Sequence, residues 1–74
     1  GKNFHKKELI LAADEKVALE VLREICLIHG YSLTRKQLTD FLSAIKTYAP
    51  HKKFNLPKNH FVIILKNYLM FEEK

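Results

Sequence analysis

The sequence has few residues that cross-link or interrupt a chain: one cysteine, two glycines and two prolines in 74 residues. A single thiol, Cys26, excludes an intramolecular disulfide framework and a four-thiolate zinc site. It favours an intracellular setting, cytoplasmic or nuclear. The low glycine and proline content favours long structured segments over many short strands and turns. No apolar run approaches the roughly 18 residues of a membrane span, so we expect no membrane partner.

Side-chain combinations that carry catalysis or hold metals are also missing. The four histidines are His5, His29, His51 and His60, and no two stand four residues apart, the spacing that places two ligands on one helix face. Cys26 lies among aliphatic residues in a predicted helix, which is typical of a small buried side chain rather than of an activated thiolate. There is no glycine-rich phosphate loop. We therefore expect no enzyme activity, no cofactor and no metal.

The central segment of the sequence is basic. The chain has a net charge of +5, and the segment from Arg35 to Lys58 alone carries six basic residues against one acidic residue. Eleven of the thirteen basic residues are lysines, which act as hydrated point charges suited to phosphates rather than to base edges. This composition predicts a basic accessory module that binds nucleic acid, DNA or RNA, through phosphate contacts with low sequence specificity.

Two segments carry strong helix signals. In the first, Asp14 is placed to cap a helix whose apolar residues recur at helical spacing as far as Gly30, which suits a left-handed helix end. In the second, Thr34 and Gln37 fit a capping box. Both helices are therefore predicted from local residues alone.

The last apolar stretch, LPKNHFVIILKNYLMF, is harder to assign. Its β-branched run is compatible with a short strand, but the apolar pattern continues so far that we predict one helix through Phe71. A broad face of that helix would be buried in the core, and Ile63 and Met70 would lie outside it, on the polar side of the helix. Either the N-terminal segment Phe4–Ala13 covers them, or they bind a partner. We predict that segment to be a separate short helix or an extension of the next one, with a strand through Leu9–Leu11 as the lesser alternative.

Together these signals predict an all-α fold, a small bundle of three main helices plus a short N-terminal helix or helical extension. It would form a single helical domain over residues 1–74, either complete or a fragment of a longer protein. The predicted core consists of Val21, Leu22, Ile25, Leu38, Phe41, Leu42, Ile45, Phe61, Leu65 and Tyr68.

Two candidate sites follow from this fold. Cations in the first turn of a helix oppose the helix dipole, so their presence there favours a phosphate-binding role. With the lysines farther along the chain, the nucleic-acid site comprises Arg35, Lys36, Lys46, Lys52, Lys53 and Lys58. The alternative is a protein–protein interaction or self-association domain that uses an apolar stripe of Ile63 and Met70, and a homo-oligomer is compatible with it.

The segment Leu22–Leu42 resembles in part the helix–loop–helix of SAP-type nucleic-acid-binding motifs. It has an apolar helix ending in Gly30, a loop, and a second helix that carries Lys36. Its loop is shorter and lacks an internal glycine. The same segment is similar to the opening of a winged-helix domain, but no β-wing follows Phe71. We assign no family.

Overall fold

The computed structural model describes residues 3–47, 50–57 and 60–71, which form an α+β fold. Its helices are α1 (Glu8–Ala12), α2 (Glu15–Ile28) and α3 (Arg35–Thr47). Its strands are β1 (Phe4–Lys6), β2 (Lys52–Leu56), β3 (His60–Ile64) and β4 (Tyr68–Phe71), in one antiparallel sheet of order β1-β4-β3-β2. The all-α prediction is therefore wrong. In the described ranges, no helix has the length and hydropathy needed to cross a membrane.

The two long helices form where their capping residues predicted them. The Asp14 carboxylate accepts a hydrogen bond from the Val17 amide at 2.9 Å. At the start of α3, the Thr34 hydroxyl accepts from the Gln37 amide at 3.2 Å, and the Gln37 side-chain oxygen accepts from the Thr34 amide at 2.8 Å. Gly30 has a φ of +85°, the left-handed conformation that closes α2. The predicted starts of both helices are therefore confirmed. They could be predicted because a cap depends only on residues a few positions apart.

The predicted C-terminal helix does not form: residues 60–71 are β3, β4 and the tight turn between them. The turn lies at Lys66 and Asn67, and the Leu65 amide closes it by donating to the Tyr68 carbonyl at 2.8 Å. β-Branched residues dominate β3 and fit a pleated sheet well. The length of the apolar run, which favoured a helix, accommodates two strands equally well.

The core lies between the helices and one face of the sheet. Five predicted core residues are buried: Leu22, Leu38, Phe41, Leu42 and Ile45. Val21 and Ile25 are partly buried and pack against them. In the last segment the prediction chose the wrong residues, because successive side chains of a strand point to opposite faces. The sheet buries Val62, Ile64, Leu69 and Phe71, whereas Phe61 and Leu65 are only partly buried and Tyr68 is exposed.

The N-terminal segment contributes both a strand and a helix. α1 is the short N-terminal helix that was predicted, and it includes Leu9–Leu11, where a strand was the lesser alternative. β1 was not predicted. It pairs beside β4, with Phe4 opposite Met70, and Leu9 and Leu11 are themselves exposed. The segment therefore extends the sheet next to Met70 instead of folding over it.

Candidate functional site

One face of the sheet packs on the helices, and the other has no described layer over it. Cross-strand partners share a face, so the register defines this second surface. A row across all four strands joins Phe4 to Met70, Met70 to Ile63, and Ile63 to Lys53. The pairs Lys6–Tyr68 and Asn55–Phe61 flank that row. We call this surface the open sheet face; it consists of Phe4, Lys6, Lys53, Asn55, Phe61, Ile63, Tyr68 and Met70.

The open sheet face combines ring surfaces with cations. Phe4 and Tyr68 are 44% and 41% exposed, and their ring centroids lie 6.3 Å apart with the planes at 80°. Across the sheet, the Lys53 ammonium lies 4.5 Å from the centroid of the Phe61 ring, a cation–π contact. None of its eight residues is acidic. The face therefore offers flat π surfaces and positive charge at adjacent positions.

The predicted nucleic-acid residues of α3 are not brought together. Arg35 and Lys36 begin the helix and Lys46 lies near its end, roughly 17 Å away along the axis at 1.5 Å per residue. Lys36 also forms an exposed ion pair with Asp40 at 3.2 Å, which offsets part of its charge. A single phosphate-binding patch on α3 is therefore not formed.

The predicted lysines that follow α3 diverge as well. Lys52 and Lys53 are consecutive residues of β2, so their side chains belong to opposite faces of the sheet. Lys53 pairs with Ile63 on the open sheet face, whereas Lys52 pairs with the buried Ile64 on the other. Lys58 lies outside the described residues. Lys53 is the one predicted cation that the described structure places on the open sheet face.

Sequence reasoning missed Phe4, Lys6, Phe61 and Tyr68 as members of one surface. The signal available in the sequence was the β-branched content of HFVII, which favours a strand. Neither HFVII nor YLMF alternates polar with apolar residues, so the sequence did not indicate which of these side chains share the exposed face. Treating the stretch as a helix placed Phe61 and Tyr68 in the core and hid their relation to Lys53.

A second basic feature lies between α2 and α3. A cleft of about 390 Å³ is lined by both arginines of the chain, Arg23 and Arg35, together with Lys16, Glu20 and Ser32. Within residues 3–47, 50–57 and 60–71, neither guanidinium forms an ion pair. We call this feature the arginine cleft. It retains Arg35 from the predicted site but carries no aromatic side chain.

A pair of histidines ties β1 to the end of α2. The Nε2 atoms of His5 and His29 lie 2.8 Å apart, and the His29 ring stacks on Phe71 with centroids 4.2 Å apart. One proton serves a hydrogen bond between two ring nitrogens, so this contact requires at least one neutral imidazole. Burial, assisted by the neighbouring His29, lowers the pKa of His5.

The lowered pKa of His5 predicts that the fold loses stability on acidification. Between the lowered value and the ordinary value of 6.5, the unfolded chain binds a proton that the folded chain does not, so stability falls as the pH falls through this window. The melting temperature should drop more in the wild type than in His5→Gln between about pH 7.5 and about pH 5.5. Equal drops in the two proteins would contradict this assignment.

The other reactive groups of the described residues are a buried thiol and dispersed metal-ligand side chains. Burial raises the pKa of the Cys26 thiol to about 12, so this side chain stays protonated at neutral pH. Over the described part of the chain, no three His, Cys, Asp or Glu side chains come together as metal ligands. We take the open sheet face as the candidate site because three aromatic rings and two ammonium groups of the described residues lie together on it. Among known proteins, no family model matches the chain, and neither a curated protein nor a solved structure matches it significantly.

Proposed function

We propose that this domain binds single-stranded nucleic acid on the open sheet face. The observation that carries the proposal is the placement of three aromatic rings, Phe4, Phe61 and Tyr68, beside two ammonium groups, those of Lys6 and Lys53. Unpaired bases of any sequence stack on aromatic side chains, while lysines contact the backbone phosphates between them. Such a surface binds strands with little sequence preference.

A single strand fits this surface better than a duplex. Bases of a duplex are stacked on one another and paired, so they are not free to lie on Phe4 or Tyr68. A duplex would therefore meet the face through its phosphates alone, where only two lysines are available. The low specificity expected from the lysine-rich composition is retained, and the location moves from α3 to the sheet.

A fluorescence-anisotropy titration tests the proposal. A labelled single-stranded oligonucleotide should bind more tightly than its duplex, and the affinity should fall steeply as salt rises. The double variant Lys6→Gln/Lys53→Gln should flatten the plot of log affinity against log salt by about 1.4, since each lost phosphate contact removes roughly 0.7 for single strands. The matched control, Lys36→Gln/Lys46→Gln, removes the same charge from α3 and should leave the slope close to that of the wild type.

Two results would overturn the proposal. Absence of binding at low salt would exclude nucleic acid as the ligand. If Lys36→Gln/Lys46→Gln lost affinity while Lys6→Gln/Lys53→Gln bound normally, the phosphate contacts would lie on α3 and not on the open sheet face.

Protein docking is a second candidate function, favoured by the position of Ile63 and Met70. These residues are cross-strand partners at the centre of the open sheet face, and both are partly buried. Analytical ultracentrifugation without nucleic acid separates the two candidates. A monomer that binds single strands supports nucleic-acid binding. Protein docking is supported if the protein is a dimer that binds no oligonucleotide, and if Ile63→Glu dissociates that dimer without unfolding it.

A further inference from the structure

Lys7 is the one charged side chain that is buried in the described structure, at 7% exposure. Its ammonium donates to the Leu65 carbonyl at 3.0 Å, and no carboxylate of the described residues lies within ion-pair distance of it. An ammonium group can donate three hydrogen bonds, and buried charges in proteins are normally paired. Lys7 is therefore a buried cation that no carboxylate of the described residues neutralises.

A pocket of about 360 Å³ lies beside Lys7, between the β1–α1 junction and the β3–β4 turn. The amide of Lys7 donates to the Asn67 carbonyl at 2.9 Å, so this residue joins the two segments through both its backbone and its side chain. The pocket is lined by Lys6, Lys7, Glu8, Leu11, Lys66, Asn67 and Tyr68. Three ammonium groups against one carboxylate give it a net charge of +2.

The pocket is continuous with the open sheet face, because Lys6 and Tyr68 belong to both. A strand whose end base stacks on Tyr68 would bring its end phosphate to the pocket. A terminal phosphate monoester carries about −1.5 to −2 at neutral pH, which matches the pocket charge better than the single charge of an internal diester. The α1 side of the pocket carries Glu8 and Leu11, which disfavour a second phosphate beyond the first.

We propose that this pocket binds the terminal phosphate of a single strand lying on the open sheet face, with Lys6, Lys7 and Lys66 supplying the positive charge. Charge-assisted hydrogen bonds from ammonium groups to phosphate oxygens are strong and short. The phosphate would also provide a counter-ion for Lys7, which has none among the described carboxylates. This inference rests on the proposed function and narrows its ligand to strands with a phosphorylated end.

Three labelled oligonucleotides of one sequence test the inference: one with a 5′-phosphate, one with a 3′-phosphate and one with neither. One phosphorylated form should bind roughly tenfold more tightly than the unphosphorylated strand at low salt. Lys66→Gln should abolish that gain while changing the affinity for the unphosphorylated strand by less than about twofold, because Lys66 lies off the face. The control Lys16→Gln removes one charge from the arginine cleft and should keep the gain.

The failures of the two proposals have different signatures. Equal affinity for all three oligonucleotides, with binding that still depends on Lys6 and Lys53, overturns the terminal-phosphate site and leaves the proposed function standing. If Lys16→Gln removed the higher affinity for the phosphorylated strand and Lys66→Gln kept it, the phosphate would bind in the arginine cleft. That result would also overturn the terminal-phosphate site. Absence of binding by every oligonucleotide overturns both proposals.

Discussion

Replacing Phe41 by alanine should destabilise the fold by about 3–5 kcal/mol, the largest effect that we expect from a single substitution. Phe41 is fully buried and connects α3 to two strands of the sheet. Its ring stacks on Phe54 with centroids 4.8 Å apart, and it meets Phe71 edge-on at 6.3 Å. Removing it leaves a cavity in a core that is thin in any domain of this size. Urea unfolding followed by circular dichroism measures the loss.

Phe4→Ala is the matched control for this prediction. It removes the same ring from an exposed position, so the free energy of unfolding should fall by less than about 1.5 kcal/mol. If the two variants lost similar amounts, α3 would not pack on the sheet as described. If the Phe41 variant has no cooperative unfolding transition even without urea, that result agrees with the prediction, because the free energy of unfolding of a small domain is only a few kcal/mol.

The double variant Phe61→Ala/Tyr68→Ala should weaken the binding of single-stranded nucleic acid by roughly 30-fold or more. Each base stacked on an aromatic side chain contributes about 1–3 kcal/mol, so two lost rings remove at least about 2 kcal/mol. Neither ring is part of the buried core, so the fold should persist. The anisotropy titration at one fixed low salt concentration measures the loss, and the urea midpoint checks the fold.

Tyr68→Phe separates stacking from other effects of the tyrosine. It keeps the ring and removes the hydroxyl, so an unphosphorylated strand should bind within about twofold of the wild-type affinity. Normal binding by the Phe61/Tyr68 double variant would place the strand away from the open sheet face. The arginine cleft would then be the next surface to test.

The sequence predicts the parts of this fold whose signals act over a few residues. The Thr34–Gln37 capping box and the Asp14 cap each join residues three positions apart, and both helices begin where these caps predict. β1 has only three residues, too few for a periodic pattern, and its partner is far away in the chain: Phe4 pairs with Met70. Pairing at that separation depends on the whole fold and leaves no local signal.

The sequence suggested a chemistry for the candidate site but not its location. The lysine-rich composition led to the hypothesis of phosphate contacts, and Lys53 was among the residues named for them. The position of each side chain, however, follows from sheet register. Lys52 and Lys53 differ by one residue and lie on different faces, while Lys6 and Tyr68 are distant in sequence and lie side by side. The register can be determined only when residues 60–71 are assigned as strands.

The sheet order β1-β4-β3-β2 makes the first and last described strands neighbours, and this sets the order in which the molecule can be assembled. α2 and α3 are built from local contacts and can form early, whereas the β1–β4 ladder must close a loop over nearly the whole chain. Until β4 is in place, Phe4 and Lys6 have no strand to pair with. A nascent chain halted before Tyr68 would contain all three described helices and no complete open sheet face. The proposed binding of single strands would therefore require the pairing of β1 with β4.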